Sequence, residues 1–452
     1  MLKVNKILIM ERSNLVNIIL ISLATFLAGL SLSILSPFYP TEALNKGVTV
    51  SQTGIVLSSV FITTILITPI CGKYIQILGA RKFLIIGSLI GGVGNILFGF
   101  LLLVESHTLF LTLSILIRVL TAIGEACVAP ASYTLAGQQV SEDNRGKAIA
   151  VAETSFGVGT MFGPTVGGVL YDYGGFLLPF VVTGLMMVTV AVLGMLLLKE
   201  SRFNTETDGD ERNVSWWDII SSPGVAISVF GLMFAGCGWS WYLASLEPFL
   251  KHKYHVSSSQ TGLVFMVFGL SYTLFSPVVG YLTDKGLNGL HAMIVGNFII
   301  FLGYVFLGPI PPLSSIGSLT ITTVALGCQG LGSSFTYIGT LLFMMKGVMD
   351  AGLPDKEQTR GMVSSLWVIA DCTGGYIGAS LGSLAYDKVG FQTGTVIVGG
   401  LLMFTVVIMT GYGLLLRNMS QNQPETRLDT ERQQLLISKE DSINNNSYGT
   451  NT

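Results

Sequence analysis

The sequence predicts an all-α membrane protein with twelve transmembrane helices in two pseudo-symmetric six-helix halves. Composition is the first reason. Of 452 residues, 50% are hydrophobic and only 11% charged, with mean hydropathy +0.66, whereas a water-soluble domain carries about 25% charged residues. Segment length is the second. Twelve apolar stretches approach or exceed the roughly 20 residues that cross a bilayer core: 15–39, 51–78, 83–104, 109–138, 146–171, 176–198, 223–250, 259–283, 290–308, 317–346, 361–385 and 392–416. Internal repetition is the third. Ser51-Gln52-Thr53-Gly54 returns as Ser259-Gln260-Thr261-Gly262, and Pro69 and Gly72 return at the same offset as Pro277 and Gly280. GPTVGGVLYDYGGF, Gly163 to Phe176, returns as GASLGSLAYDKVGF, Gly378 to Phe391.

Taken in order, 1–198 is the first six-helix half, 199–222 a charged loop, 223–416 the second half, and 417–452 a polar tail expected to be disordered. With the N-terminus in the cytosol, the external or lumenal loops hold only Lys46, Lys251, Lys253 and Lys388, so basic-residue asymmetry places both termini in the cytosol. A net charge of −2 gives no ground for nucleic-acid binding, and all five cysteines sit in apolar segments, as buried small hydrophobes. His107, His252, His255 and His291 lie in loops or at helix ends and do not group as a metal site. No nucleophile–base set or phosphate loop points to an enzyme, and no residue set points to a cofactor.

The fifth helix contains ETSFGVGTMFGPTVGGVLY, Glu153 to Tyr171. Glycine costs about 1 kcal/mol and proline about 3 kcal/mol in a water-exposed helix interior, but a bilayer supplies no competing water, and small residues let helices approach closely. Gly159, Gly163, Pro164, Gly167 and Gly168 therefore read as packing and flexing positions. This Gly-x-x-x-Gly-Pro-x-x-Gly-Gly run resembles the antiporter signature in the fifth helix of major facilitator superfamily (MFS) transporters. In that family two related halves bind substrate near the midplane between them.

The loop from Gly72 to Lys82, GKYIQILGARK, resembles the family's cytosolic latch. Gln76 stands where an acid is expected, which weakens the latch, and the repeat GYLTDK keeps its acid at Asp284. The resemblance implies that Gly72, Arg81, Lys82 and Asp284 gate the conformational change. Arg118-Val119-Leu120-Thr121-Ala122-Ile123-Gly124, Leu246-Glu247-Pro248 and Ile369-Ala370-Asp371 narrow the resemblance to the vesicular amine transporters. ILSPFYPTEA (34–43), AETSFGVGTMFGP (152–164) and LSYTLFSPVVGYLTDK (270–285) resemble its vesicular polyamine branch. Monoamine transporters of that family pair an acid in helix 1 with a lysine in helix 2. Ala28 and Val60 stand there in this sequence, which argues against monoamine specificity.

An ionisable group inside a bilayer costs roughly 2.5–3.5 kcal/mol on insertion scales and marks a functional position. Glu125, Glu153, Glu247 and Asp371, with Arg118, are such groups. Glu153 and Asp371 are expected to lie too deep for solvation, Glu247 near the external end of helix 7. A polyamine needs carboxylates spread along a cavity and aromatic faces between them. Trp239, Trp241 and Tyr242 in helix 7, with Phe38 and Tyr39 in helix 1, are candidates for those faces, or for interfacial anchors. Arg118 reads equally as substrate contact or as a structural or gating group.

The expected activity is proton-coupled antiport of organic cations, polyamines first, into acidic vesicles or lysosomes, by a monomer whose partners are substrate, protons and membrane lipid. The alternatives are export of another small molecule, such as a drug-like cation or zwitterion, and a passive facilitator or transporter-like receptor. In the tail, Glu431, Leu435 and Leu436 match the acidic dileucine pattern read by sorting adaptors.

Overall fold

A computed structural model describes residues 2–139, 142–198, 215–308, 318–353 and 357–421. The described residues are almost wholly helical: α1 Leu2–Ser33, α2 Tyr39–Asn45, α3 Val50–Leu78, α4 Ala80–Gly99, α5 His107–Gln138, α6 Glu142–Gly174, α7 Leu177–Leu197, α8 Trp216–Ile220, α9 Pro223–Tyr254, α10 Ser258–Asp284, α11 Gly289–Leu307, α12 Leu319–Asp350 and α13 Glu357–Gln421. Backbone contacts divide the chain into a main unit, Met1–Thr405, and a terminal unit, Val406–Thr452, helical through its described part.

These elements give the twelve expected spans, with shifts at several helix ends. The first span stops at Ser33, not 39, because Pro37 has no N–H to continue the ladder; a turn over 34–38 leads into the short α2. The last two expected spans, 361–385 and 392–416, both lie in α13 and part at Gly390, as expected, where the φ of 80° is one that a side chain would resist. Nine helical segments pass as membrane spans on length and hydropathy alone, α13 counted once. The long helices outside that set are α6 and α12, whose Gly, Ser and Thr lower their hydropathy. Small residues of this kind line helix–helix contacts in membranes.

The glycines of α6 show why. A Cβ on Gly159 would stand 2.0 Å from the Phe26 carbonyl oxygen, one on Gly163 2.1 Å from Ser33 Oγ, and one on Gly167 2.4 Å from the Ile34 oxygen. These three seat α6 directly on α1 and the turn after it. Gly168 faces the other way, with its Cβ position 2.3 Å from Ser258 oxygen in α10, and Gly262 approaches the Pro164 carbonyl at the same 2.3 Å. One helix thus touches both halves through missing side chains.

The sequence repeat is a structural repeat. Thr49 caps α3 and Ser257 caps α10, each in a reciprocal capping box with the glutamine three residues on, Gln52 and Gln260. Apolar side chains fill each half, and a smaller cluster of Phe61, Cys372 and Ala379, with Trp239, Leu243 and Val368 against it, joins α3 of the first half to α9 and α13 of the second.

Candidate functional site

The midplane carboxylates are the place to begin. Asp371, in α13, accepts a 2.5 Å hydrogen bond from the Tyr337 hydroxyl of α12, and Trp239 of α9 lies against it. Tyr337 meets Trp367 edge-on, centroids 5.4 Å apart, and Tyr272 of α10 edge-on at 6.1 Å. Glu153, in α6, interacts electrostatically with Tyr133 of α5. Tyr272 lies within electrostatic range of both Glu153 and Asp371. Each half therefore contributes one carboxylate with a tyrosine near it, and Tyr272 feels both acids.

A carboxylate offers about four lone-pair sites, and one tyrosine uses one of them. Both acids keep capacity for a further donor. Glu153 is exposed, contrary to the expectation that it lies too deep for solvation. Asp371 is shielded on one side by α9, where a Cβ on Gly236 would come within 2.9 Å of Oδ1.

The other expected site residues are placed elsewhere. Arg118 is almost fully buried and donates to the carbonyl oxygens of Leu32, at 2.7 Å, and Ser31, at 3.3 Å. Those carbonyls belong to the last turn of α1, where no intrahelical donor remains; the guanidinium caps a helix end and does not face the space between the halves. Glu125 is buried in the same half, electrostatically linked to Arg118 and Ser31, with Oε1 unbonded. Tyr39 packs between Phe98 and Phe110, and Trp241 between Tyr304 and Phe391. Both are core side chains, neither cation-facing nor interfacial. Tyr242 meets Phe265 at a tilt and Phe268 edge-on, and lies within electrostatic range of Tyr337. Of the helix 7 aromatics, only Trp239 reaches across, edge-on to Phe61 of α3 at 5.7 Å.

Glu247 lies at the end of the bundle that carries α2 and is fully buried, so it is no solvated mouth residue. Its carboxylate takes the Thr41 N–H (3.1 Å), the Thr41 hydroxyl (2.6 Å) and the Lys251 ammonium (2.7 Å). Lys251 also sits 5.8 Å over the Tyr171 ring, whose hydroxyl donates to Glu42. Glu247 thus has about three of its four acceptor sites used. Asp172, just beyond the 146–171 span at the exposed end of α6, is held below the usual carboxylate range: burial pulls it up, but hydrogen bonds from Ser259 and its neighbours outweigh that.

Of the expected gating residues, Arg81 donates to the Met195 carbonyl at 2.6 Å, tying α4 to α7, and Asp284 is exposed at the end of α10. Lys82 is at the start of α4. The side chains around Gly72 and the sorting pattern at Glu431, Leu435 and Leu436 lie outside the described residues.

Sequence reasoning missed Tyr133, Tyr272, Tyr337 and Trp367. The signal for Tyr272 was in hand, within the run LSYTLF that supported the resemblance, but an aromatic residue in an apolar helix reads as core until its neighbours are known.

The model of the Major Facilitator Superfamily matches residues 21–232 and again 228–439. The chain belongs to the major facilitator superfamily. It is therefore a multi-pass integral membrane transporter, and the double match falls on its two halves. Among curated relatives, MFS-type transporter SLC18B1 of Homo sapiens is 30% identical over 424 residues, 92% of this chain and 91% of the relative. The synaptic vesicular amine transporter of Rattus norvegicus is 24% identical over 367 residues, 80% of this chain and 66% of the relative. Among solved structures, a bacterial homologue of the human lysosomal transporter Spinster superposes with TM-score 0.71 at 16% identity, covering 88% of this chain and 96% of that one. At that identity it speaks for the fold alone.

Proposed function

We propose that the chain is a proton-coupled antiporter of organic cations, polyamines first, working by alternating access and loading an acidic vesicle or lysosome. The observation that carries this is the pair of carboxylates, Glu153 and Asp371, one from each half, both within electrostatic range of Tyr272. An extended amine with several ammonium groups would place one at Asp371, another at Glu153 and its methylenes along Tyr272, Tyr337 and Trp367. Each ammonium replaces water with a charge-assisted hydrogen bond and an aromatic face. The similarity to SLC18B1 and to vesicular amine transporters supports amines as the substrate class.

Coupling follows from competition. A carboxylate in this setting holds either a proton or an ammonium, so protons arriving from an acidic compartment displace the substrate there, and the protonated carrier returns to release them in the cytosol. The end bearing α2 would face the lumen, with both termini cytosolic, as basic-residue asymmetry implies.

Ligand-induced stabilisation tests the site directly. Spermidine at about 100 times its dissociation constant should stabilise the purified protein by roughly 2.7 kcal/mol, read as a rise in unfolding midpoint. Asp371→Asn and Glu153→Gln should each shrink that rise. Equal stabilisation of native and variant proteins would place the amine elsewhere.

A further inference from the structure

The repeat that connects Ser51-Gln52-Thr53-Gly54 to Ser259-Gln260-Thr261-Gly262, and LYDYGGF to LAYDKVGF, does not enter the substrate site. Its second pair of members includes Asp172 and Asp387, which occupy equivalent places at the ends of α6 and of the first span of α13. Asp387 accepts from the Ser51 N–H at 2.8 Å and the Ser51 hydroxyl at 2.5 Å. Asp172 accepts from the Ser259 N–H at 2.9 Å and the Ser259 hydroxyl at 2.5 Å. Both bonds cross between the halves, and each is the symmetry counterpart of the other.

The donors explain why these bonds form. The first turn of a helix leaves its N–H groups without intrahelical acceptors, and a negative charge there also meets the positive end of the helix dipole. In α3 the cap Thr49 satisfies the N–H of Gln52, and in α10 Ser257 satisfies that of Gln260. The N–H one residue earlier, on Ser51 and Ser259, goes to the aspartate of the opposite half. Each helix start is thus capped partly by itself and partly by its partner. Close backbone approach makes the reach possible: a Cβ on Gly54 would come within 1.8 Å of Ser383 Oγ, and one on Gly168 within 2.3 Å of the Ser258 oxygen. One to two turns deeper, Ser380 donates to Ser58 across the same seam at 2.9 Å.

We infer that Asp172 and Asp387 are paired positioning residues that latch the α2 end shut, each by capping the other half's helix, and so set how often that end opens. The latch has two points because the fold has two halves. When the halves part, both N–H groups and both hydroxyls exchange an anionic acceptor for water. The inference goes beyond the amine site, and its test uses no substrate, so it stands or falls separately from the transport reading.

The test uses the full chain in liposomes with Ser58→Cys as reporter, since Ser58 is buried behind the latch. A membrane-impermeant thiol reagent is added to the face bearing α2, and modification is read residue by residue by mass spectrometry. Buried Cys71, inside one half, serves as the internal control. Losing a capping interaction typically costs about 1 kcal/mol, so Asp172→Asn and Asp387→Asn should each speed labelling at position 58 about 5-fold, and the double variant about 25-fold. Cys71 labelling should not change. Ser51→Ala and Ser259→Ala, which keep the backbone bond, should act in the same direction but less. Unchanged labelling at position 58 in the double variant would overturn the latch. A parallel rise at Cys71 would also overturn it, because it would mean general loosening.

Discussion

Two groups of acids cross or border the seam between the halves, and they differ in how much of their bonding capacity is used. At mid-depth, Asp371 receives one tyrosine hydroxyl and Glu153 has a tyrosine near it, with aromatic rings around them. At the α2 end, Glu247 takes three donors, and Asp172 and Asp387 each take a backbone N–H with a hydroxyl. The more heavily bonded carboxylates hold the protein to itself. Under-used ones are available to a ligand. Burial alone does not separate the groups, since Glu247 is more buried than Glu153.

The comparison can be broken at several points. Asp371→Asn should have the largest effect, because it removes the charge from the more enclosed of the two mid-depth acids, one from each half. Breaking such a pair costs about 3 kcal/mol or more, so amine transport should fall at least about 100-fold in an initial-rate assay. Glu153→Gln, at a wetter position, should raise KM about 10-fold, the scale of one charge-assisted hydrogen bond. Tyr272→Ala should raise KM about 3-fold, as for a cation–π contact, whereas Tyr272→Phe keeps the ring and should change it little. Asp172→Asn should leave KM within about twofold, since a latch that shifts a minor population scarcely taxes binding at the other side. A large KM effect at Asp172 would erase the distinction between the two groups.

Much of the fold was legible in the sequence because bilayer thickness forces length and hydropathy on every span, and because the two halves repeat their helix starts. Gly159, Gly163, Gly167 and Gly168 of the fifth helix were legible too, and each has a backbone or side chain where its Cβ would be. The boundary at Ser33 was less clear, since it depends on where backbone hydrogen bonds stop and not on hydropathy, whereas the break at Gly390 falls between the two expected spans. The site was only half legible. Intramembrane charge singled out Asp371 and Glu153, but the same signal flagged Arg118, which serves the carbonyls at the end of α1. Which charge pairs with a carbonyl and which faces a cavity is decided by neighbours far away in the chain. Helix 7 held a usable clue. At about 100° per residue, Trp239, Trp241 and Tyr242 cannot share one face, and only Trp239 turns toward the other half.

The most direct measurement is uptake of labelled spermidine into proteoliposomes with an acidic interior, repeated after a proton carrier collapses the gradient. The account predicts concentrative uptake that disappears with the gradient and is lost in Asp371→Asn, with folded, correctly inserted protein confirmed in each sample. Uptake that persists without the gradient, or survives in Asp371→Asn, would contradict proton exchange at the tyrosine–carboxylate site.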